Sequence, residues 1–265
     1  MKTSIPQLLA SIESAINHLQ LGQQPAQLYD PIRYIMNLGG KRLRPLLTLL
    51  SYSLFKEQYQ PAVKPAVAVE FFHNFTLMHD DIMDEAPLRR GKDTVHQKWN
   101  KNVAILSGDV MVIQVYNLLL DLEDRHLKPV LEVFNQCAIQ VCEGQQIDMM
   151  FEDNDEVSES DYLEMISLKT ATLLGFCMEL GGILADVERD IKTKLKDFGI
   201  NLGIGFQLKD DLLDIFGDQG KFGKQVWGDI ISNKKTFLLI KALELAQDQS
   251  YDELKAWLGL REFDN

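Results

Sequence analysis

Two acidic motifs repeat in this chain: Asp80-Asp81-Ile82-Met83-Asp84 and Asp210-Asp211-Leu212-Leu213-Asp214, both of the form DDxxD and each at the end of a long apolar pattern. On a helix, positions i and i+4 lie about 40° apart, so Asp80 points with Asp84 and Asp210 with Asp214. Like charges at that spacing destabilise a helix, and Asp is a poor helix former beside the negative end of the dipole. Something else must favour these residues. Hard oxygen donors in groups, with no accompanying Cys and few His, suit Mg²⁺, which keeps several waters and is bound by one or two carboxylates together with substrate phosphates. Two such pairs facing each other would hold a diphosphate through a cluster of metal ions. The plain structural alternative, an exposed acidic helix end, accounts for one copy but gives no reason for two.

Basic residues accompany the acidic ones. Gly39-Gly40-Lys41-Arg42-Leu43-Arg44-Pro45 joins a helix end to a helix start, with glycine free to take φ > 0 and proline suited to a first turn. Cations beside free helix N–H groups make an anion site, and a solvated basic turn is the competing reading. Just past the first aspartate motif, Arg89 and Arg90 offer two guanidinium groups that suit phosphate oxygens, with ion pairs to Asp81 or Glu85 as the alternative role. Lys169-Thr170 interrupts an otherwise apolar helical stretch. Lys224, Lys234 and Lys235 follow the second motif as the arginines follow the first.

Helices must position these groups. Apolar residues recur at three and four spacing, as in Leu8, Ile12, Ala15, Ile16 and Leu19, and strict alternation is almost absent. The pattern predicts an all-α protein with one long helix over 62–83 and others over 104–123, 129–151, 160–184, 191–216 and 236–246, and with Pro45 opening a further one. On the helix before the first motif, His73, Thr76, Leu77, Asp80 and Asp84 fall within about 100° of arc, so His73 faces the aspartates. With 265 residues and an apolar fraction of 46%, residues 1–265 are expected to form a single domain.

Acidic residues outnumber basic ones by 39 to 27, a net charge of −12, which argues against nucleic acid or an anionic membrane surface as partner. No unbroken apolar run suggests a signal peptide or membrane span, so a cytoplasmic chain without membrane insertion is expected. Cys137, Cys142 and Cys177 are expected to be buried free thiols.

In chain order, GGKRLRP at 39–45, HNFTLMHDDIMDEAPLRRG at 73–91, GQQID at 144–148, KTA at 169–171, FQLKDDLLD at 206–214, GKQVWGD at 223–229 and NKKT at 233–236 make a combined match. The sequence resembles the trans-isoprenyl diphosphate synthases, or polyprenyl synthetases, of short-chain type. The resemblance implies a helical bundle around a central cavity. It also implies a Mg²⁺-dependent head-to-tail condensation of an allylic diphosphate with isopentenyl diphosphate, three metal ions per site, and a homodimer. Asp80, Asp84 and Asp210 would bind Mg²⁺, with Asp81 and Asp214 in support. Lys41, Arg44, His73 and Arg90 would hold isopentenyl diphosphate. Arg89, Lys169, Lys224 and Lys234 would hold the allylic diphosphate, with Thr170 and Gln207 beside the breaking C–O bond. Gln145 and Asp148 would support these groups from behind.

The resemblance further implies that Phe75, five positions before Asp80, limits product length, with Phe72 behind it and the small Thr76 leaving room for a C20 rather than a C15 product. Ordinary core packing is the competing role for these aromatics. The chain ends at Asn265, where family members usually continue through further helices, so a C-terminally short domain is expected. A class I terpene cyclase shares the helical fold and one DDxxD but does not need the GGKRLRP and RRG sites. An HD-type phosphohydrolase, suggested by His79-Asp80, needs more histidines than the five present. A non-catalytic subunit of a heteromeric synthase would be expected to lack one aspartate motif, and both are intact.

Overall fold

The apolar spacing at the start of the chain becomes α1 (Ile5–Asn17), with Leu8, Ile12 and Ile16 buried. A computed structural model describes residues 3–152, 154, 156–217 and 234–258; Lys224 lies outside the described residues. After α1 come α2 (Ala26–Asn37), α3 (Leu43–Ser53) and α4 (Gln60–Met83), then a short hairpin of β1 (Leu88–Arg89) and β2 (Lys92–Asp93). The chain goes on through α5 (Val95–Lys98), α6 (Lys101–Leu119), α7 (Asp124–Glu152), α8 (Glu159–Ile166), a π-helical turn at Ser167–Ala171, α9 (Thr172–Leu184) and α10 (Arg189–Phe216). Helices α11 (Phe237–Leu245) and α12 (Asp248–Leu258) are the last elements among the described residues. The protein is all-α apart from that hairpin among the described residues.

Local chemistry sets several boundaries. Pro45 lies in the first turn of α3, where its missing N–H costs no helical bond. The Asn100 side chain accepts from Val103 N at 2.9 Å and so starts α6 three residues earlier than the apolar pattern suggests. Ser158 and Asp161 exchange hydrogen bonds as a capping box at the head of α8. The helix expected over 160–184 is not continuous. The π-helical turn divides it at the segment that carries Lys169 and Thr170. Apolar periodicity is blind to one extra residue per turn, whereas such turns recur at functional sites.

The chain divides into two compact units, Met1–Cys137 with Leu173–Ile200, and Ala138–Thr172 with Asn201–Asn265. In the first, α4 packs against α6, α3, α1 and α2. Residues on every side of α4 are buried, among them Ala62, Val67, Phe71, Phe72 and Met78, which makes it the core helix of that unit. Burial of each large apolar side chain contributes roughly 1.5–3 kcal/mol. In the second unit Tyr162, Met165, Ile166 and Ile240 form a core, against which Ile147, Phe151, Leu208 and Phe237 pack.

Cys137 and Cys177 are buried, and burial pushes the Cys177 thiol up to about 12. Cys142, expected to be buried, is exposed, because its position on α7 faces away from the helices that cover its neighbour Val141. Among the described residues two stretches, Lys101–Leu119 and Glu159–Leu184, are long and apolar enough to cross a membrane by length and composition; the second is mostly buried.

Candidate active site

In the first unit, the last turn of α4 carries Asp80 and Asp81, and Asp84 caps it, its N–H bonded to the Asp80 carbonyl at 2.9 Å. The three aspartates do not share one role. Asp80 and Asp84 are half-buried, while Asp81 turns inward and is only 2% exposed. Arg89 of the hairpin meets it there, with Nε 2.8 and 2.9 Å from the two carboxylate oxygens and Nη2 2.6 Å from Oδ1. Nη2 also reaches to 3.7 Å from Asp80 Oδ2. Burial pushes the Asp81 carboxyl up, and the Arg89 bond opposes that without cancelling it. Of the two roles the sequence leaves open for Arg89, the ion pair to Asp81 is the one present. Glu85 pairs instead with Lys101, at 2.7 Å.

The hairpin turns at Arg90 and Gly91, both with positive φ, as a two-residue loop of the mirror-image kind demands. That turn directs Arg90 back to the Gly39–Arg44 segment, where its Nη1 donates to the Gly39 carbonyl. Gly39 and Gly40 take φ of 79° and 146°, so this segment needs its glycines. Lys41 is exposed. Arg44, in the first turn of α3, donates from Nη1 to His73 Nε2 at 3.0 Å. Since a guanidinium can only donate, Nε2 is the bare acceptor nitrogen and the ring is neutral. Burial, and next to it the Arg44 charge, hold His73 well below the ordinary imidazole range. Lys41, Arg44, His73 and Arg90 are therefore carried on one turn, one hairpin and the adjoining face of α4.

Arg42, at the centre of the same segment, received no role from the sequence. It is buried and bonded to Glu13 Oε1, Glu70 Oε1 and the Met36 carbonyl. Alternating charges do not reveal which of three nearby cations turns inward.

Among the aromatics, Phe72 is wholly packed, its ring set edge-on to Phe134 at 5.2 Å, whereas Phe75 is half-buried and stacks edge-on against His79 at 4.7 Å. Thr76 donates to the His73 carbonyl at 2.8 Å.

The second unit repeats the pattern of the first. Asp210 and Asp214 are half-buried, and the middle aspartate, Asp211, is 3% exposed. Among the described residues three donors reach Asp211: Gln207 Nε2 at 3.0 Å, the Tyr162 hydroxyl, and Phe237 N at 3.4 Å. Gln207 accepts in turn from Thr170 Oγ1 at 3.2 Å, so the π-helical turn is linked to the second motif through one amide. Lys169, on that turn, donates to Asp148 of α7 at 2.6 Å. A Cβ at Gly144 would overlap the Lys169 backbone nitrogen, and one at Gly203 the Ala171 Cα, so α7 and α10 close on the turn only because both positions are glycine. The roles of Tyr162 and Asp211 are missing from the sequence reading. Their signal is the 100° step between neighbouring helix residues, which sends the second Asp of each motif inward when the first and last face out.

Among the described residues no three His, Cys, Asp or Glu side chains gather as a metal cage. The outward carboxylate pairs nonetheless fit Mg²⁺, since that ion takes one or two carboxylates and fills its remaining positions with water and substrate phosphate.

The polyprenyl synthetase family model matches residues 25–265. The chain belongs to the polyprenyl synthetase family. This polyprenyl synthetase is 42% identical over 235 residues to a geranylgeranyl pyrophosphate synthase of Geoglobus acetivorans, a match that spans 88% of the chain and 73% of the relative. It is 38% identical over 234 residues to a short chain isoprenyl diphosphate synthase of Methanocaldococcus jannaschii, spanning 88% and 71%. A crystal structure of a geranylgeranyl pyrophosphate synthase superposes with a TM-score of 0.93 at 48% identity, covering 97% of the chain and 78% of the other. The all-α isoprenoid synthase fold expected from the motifs is the fold observed.

Proposed function

We propose that this polyprenyl synthetase joins an allylic diphosphate to isopentenyl diphosphate head to tail, giving a short-chain prenyl diphosphate of C15 to C20 and free diphosphate. The observation that carries this reading is the repeated division within the two motifs: each buries its middle aspartate on protein donors, Asp81 on Arg89 and Asp211 on Tyr162 and Gln207, while its first and last aspartates stay half-buried and reachable from solvent. A folding role alone would not preserve that division twice. The names of the relatives support a product near C20.

In this reading Asp80, Asp84 and Asp210 hold Mg²⁺, three ions per site, with Asp81 and Asp214 in support. Bound there, Mg²⁺ would neutralise charge on the leaving diphosphate. Lys41, Arg44, His73 and Arg90 bind isopentenyl diphosphate. Arg89, Lys169, Lys224 and Lys234 hold the allylic diphosphate and take up the charge that grows as its C1–O bond breaks. Thr170 and Gln207 lie beside that bond, and Gln145 and Asp148 support from behind. The isopentenyl double bond then attacks the allylic cation, a carbon–carbon bond forms, and the proton lost passes to the released diphosphate, so no side-chain base is needed. Apolar helix walls exclude water that would quench the cation.

The same reading takes residues 1–265 as one catalytic domain acting as a cytoplasmic homodimer without membrane insertion. Exposed apolar residues of α6, Leu106 and Ile113 with Leu120 at its end, support the second copy.

Product analysis after incubation with isopentenyl diphosphate and dimethylallyl, geranyl or farnesyl diphosphate tests the assignment. Asp80→Ala and Asp210→Ala should each abolish turnover with circular dichroism nearly unchanged, since single changes at half-buried carboxylates seldom unfold a domain. Near wild-type condensation by either variant in saturating Mg²⁺ would sink it.

A further inference from the structure

We propose that Arg42 is a positioning residue for isopentenyl diphosphate: its guanidinium, gripped by three helices, fixes the turn that presents Lys41 and Arg44. This rests on reading that turn as the isopentenyl diphosphate site. Arg42 stands at the head of α3 with φ 48° and ψ 36°, in the left-handed region that a residue with a Cβ occupies only when its surroundings demand it. The surroundings are on hand. Its side chain, buried with the residue 5% exposed, donates Nε to Glu13 Oε1 of α1 at 2.8 Å, Nη1 to Glu70 Oε1 of α4 at 2.7 Å, and Nη2 to the Met36 carbonyl of α2 at 2.9 Å. Glu70 is itself buried and takes a further bond from Asn74 at 3.2 Å, so the acceptor is fixed before Arg42 reaches it.

A buried ion pair is a weak source of stability, because apolar residues of similar volume often serve as well. What three donors in different directions supply is orientation. The chain reverses at Arg42, sending Lys41 to solvent on one side and Arg44 to His73 on the other. Arg90 depends on the same turn, since its guanidinium rests on the Gly39 carbonyl and within 3.0 to 3.2 Å of where a Cβ on Gly40 would lie. Loosening Arg42 therefore moves Lys41, Arg44 and Arg90 relative to His73, while Lys169, Thr170 and Gln207 belong to a different unit. Lysine cannot replace it, for an ammonium lacks the planar fork.

The test compares Arg42→Lys and Glu13→Gln with the wild-type chain, by calorimetric binding of isopentenyl diphosphate and by steady-state kinetics with each substrate varied in turn. Glu13 is 44% exposed at its side chain, so its variant keeps the fold and decides the matter if Arg42→Lys fails to fold. The expected result is a KM and Kd for isopentenyl diphosphate about tenfold higher in Arg42→Lys and about threefold higher in Glu13→Gln, with the allylic KM within about twofold of wild type. Equal rises for both substrates, or unchanged isopentenyl diphosphate binding beside a lowered melting temperature, would mean a purely structural Arg42 and overturn the proposal. A wild-type chain that binds no isopentenyl diphosphate overturns the site assignment itself, an outcome distinct from either.

Discussion

His73 shows how burial and one charged contact together hold a side chain neutral. Its Nε2 accepts from Arg44, so a proton there would replace an attraction with a repulsion inside a desolvated pocket. The folded state therefore resists a proton that the unfolded chain takes up below about pH 6.5. By linkage His73 has no effect on stability well above that pH, and its penalty grows as pH falls through 6.5 toward the depressed folded value. Urea midpoints at pH 7.5 and 5.5 should fall less in His73→Gln, which keeps an acceptor for Arg44 but cannot titrate. Identical pH dependence in variant and wild type would rule this out. The two lysines at exposed or half-buried positions separate the substrates at the same scale. Lys41→Ala should cost roughly 1.5–3 kcal/mol of transition-state binding, seen as a raised KM for isopentenyl diphosphate, and Lys169→Ala a similar amount on the allylic side. If both variants weakened both substrates alike, the division between the sites would be wrong.

At the scale of elements, α4 is a core helix and, in the proposed reading, also a wall of the site. Phe72 and Phe75 lie three residues apart on it, yet Phe72 is sealed against Phe134 while Phe75 keeps part of its surface open beside His79. Of the two, Phe75 is the one with surface left for a growing chain in the proposed reading, about 7.5 Å before Asp80 along the helix axis. Phe75→Ala should lengthen the product by at least one five-carbon unit, read by chromatography of the dephosphorylated alcohols. Phe72→Ala alone should chiefly destabilise, by about 3–5 kcal/mol, because it opens a cavity in the core. An active, folded Phe75→Ala enzyme with the wild-type product would remove Phe75 from the length-setting role. The π-helical turn makes the matching point for the second unit: one surplus residue between α8 and α9 sends Lys169 to Asp148 and Thr170 to Gln207.

At the scale of the whole molecule, α6 presents Leu106, Ile113 and Leu120 seven residues apart, on one stripe, at 58, 60 and 58% exposure. Residues spaced by seven stay nearly in register on a helix, which is the geometry of a helix–helix seam. Two copies would cover six such side chains at roughly 1.5–3 kcal/mol each, comparable with an association cost of about 4–15 kcal/mol, so the stripe weighs in the balance of assembly. Ile113→Lys should shift the protein from dimer to monomer in sedimentation velocity; a wild type that is already monomeric would refute the homodimer. Much of this molecule was legible in its residue order. The DDxxD spacing, the glycine-basic turn and the apolar period of 3.6 are local properties, and they led to the all-α fold, the family and the outward carboxylates without any coordinates. Tertiary structure decided what each inward-turned polar group meets: Asp81 meets Arg89, Asp211 meets Tyr162 and Gln207, and Arg42 lies between Glu13 and Glu70. The helix step alone turns the middle aspartates inward, but Tyr162, Glu13 and Glu70 come from other helices, 49, 29 and 28 residues away from the groups they meet, so no local period could single out those partners. The cost of burying a charge without a partner is what makes each choice unique.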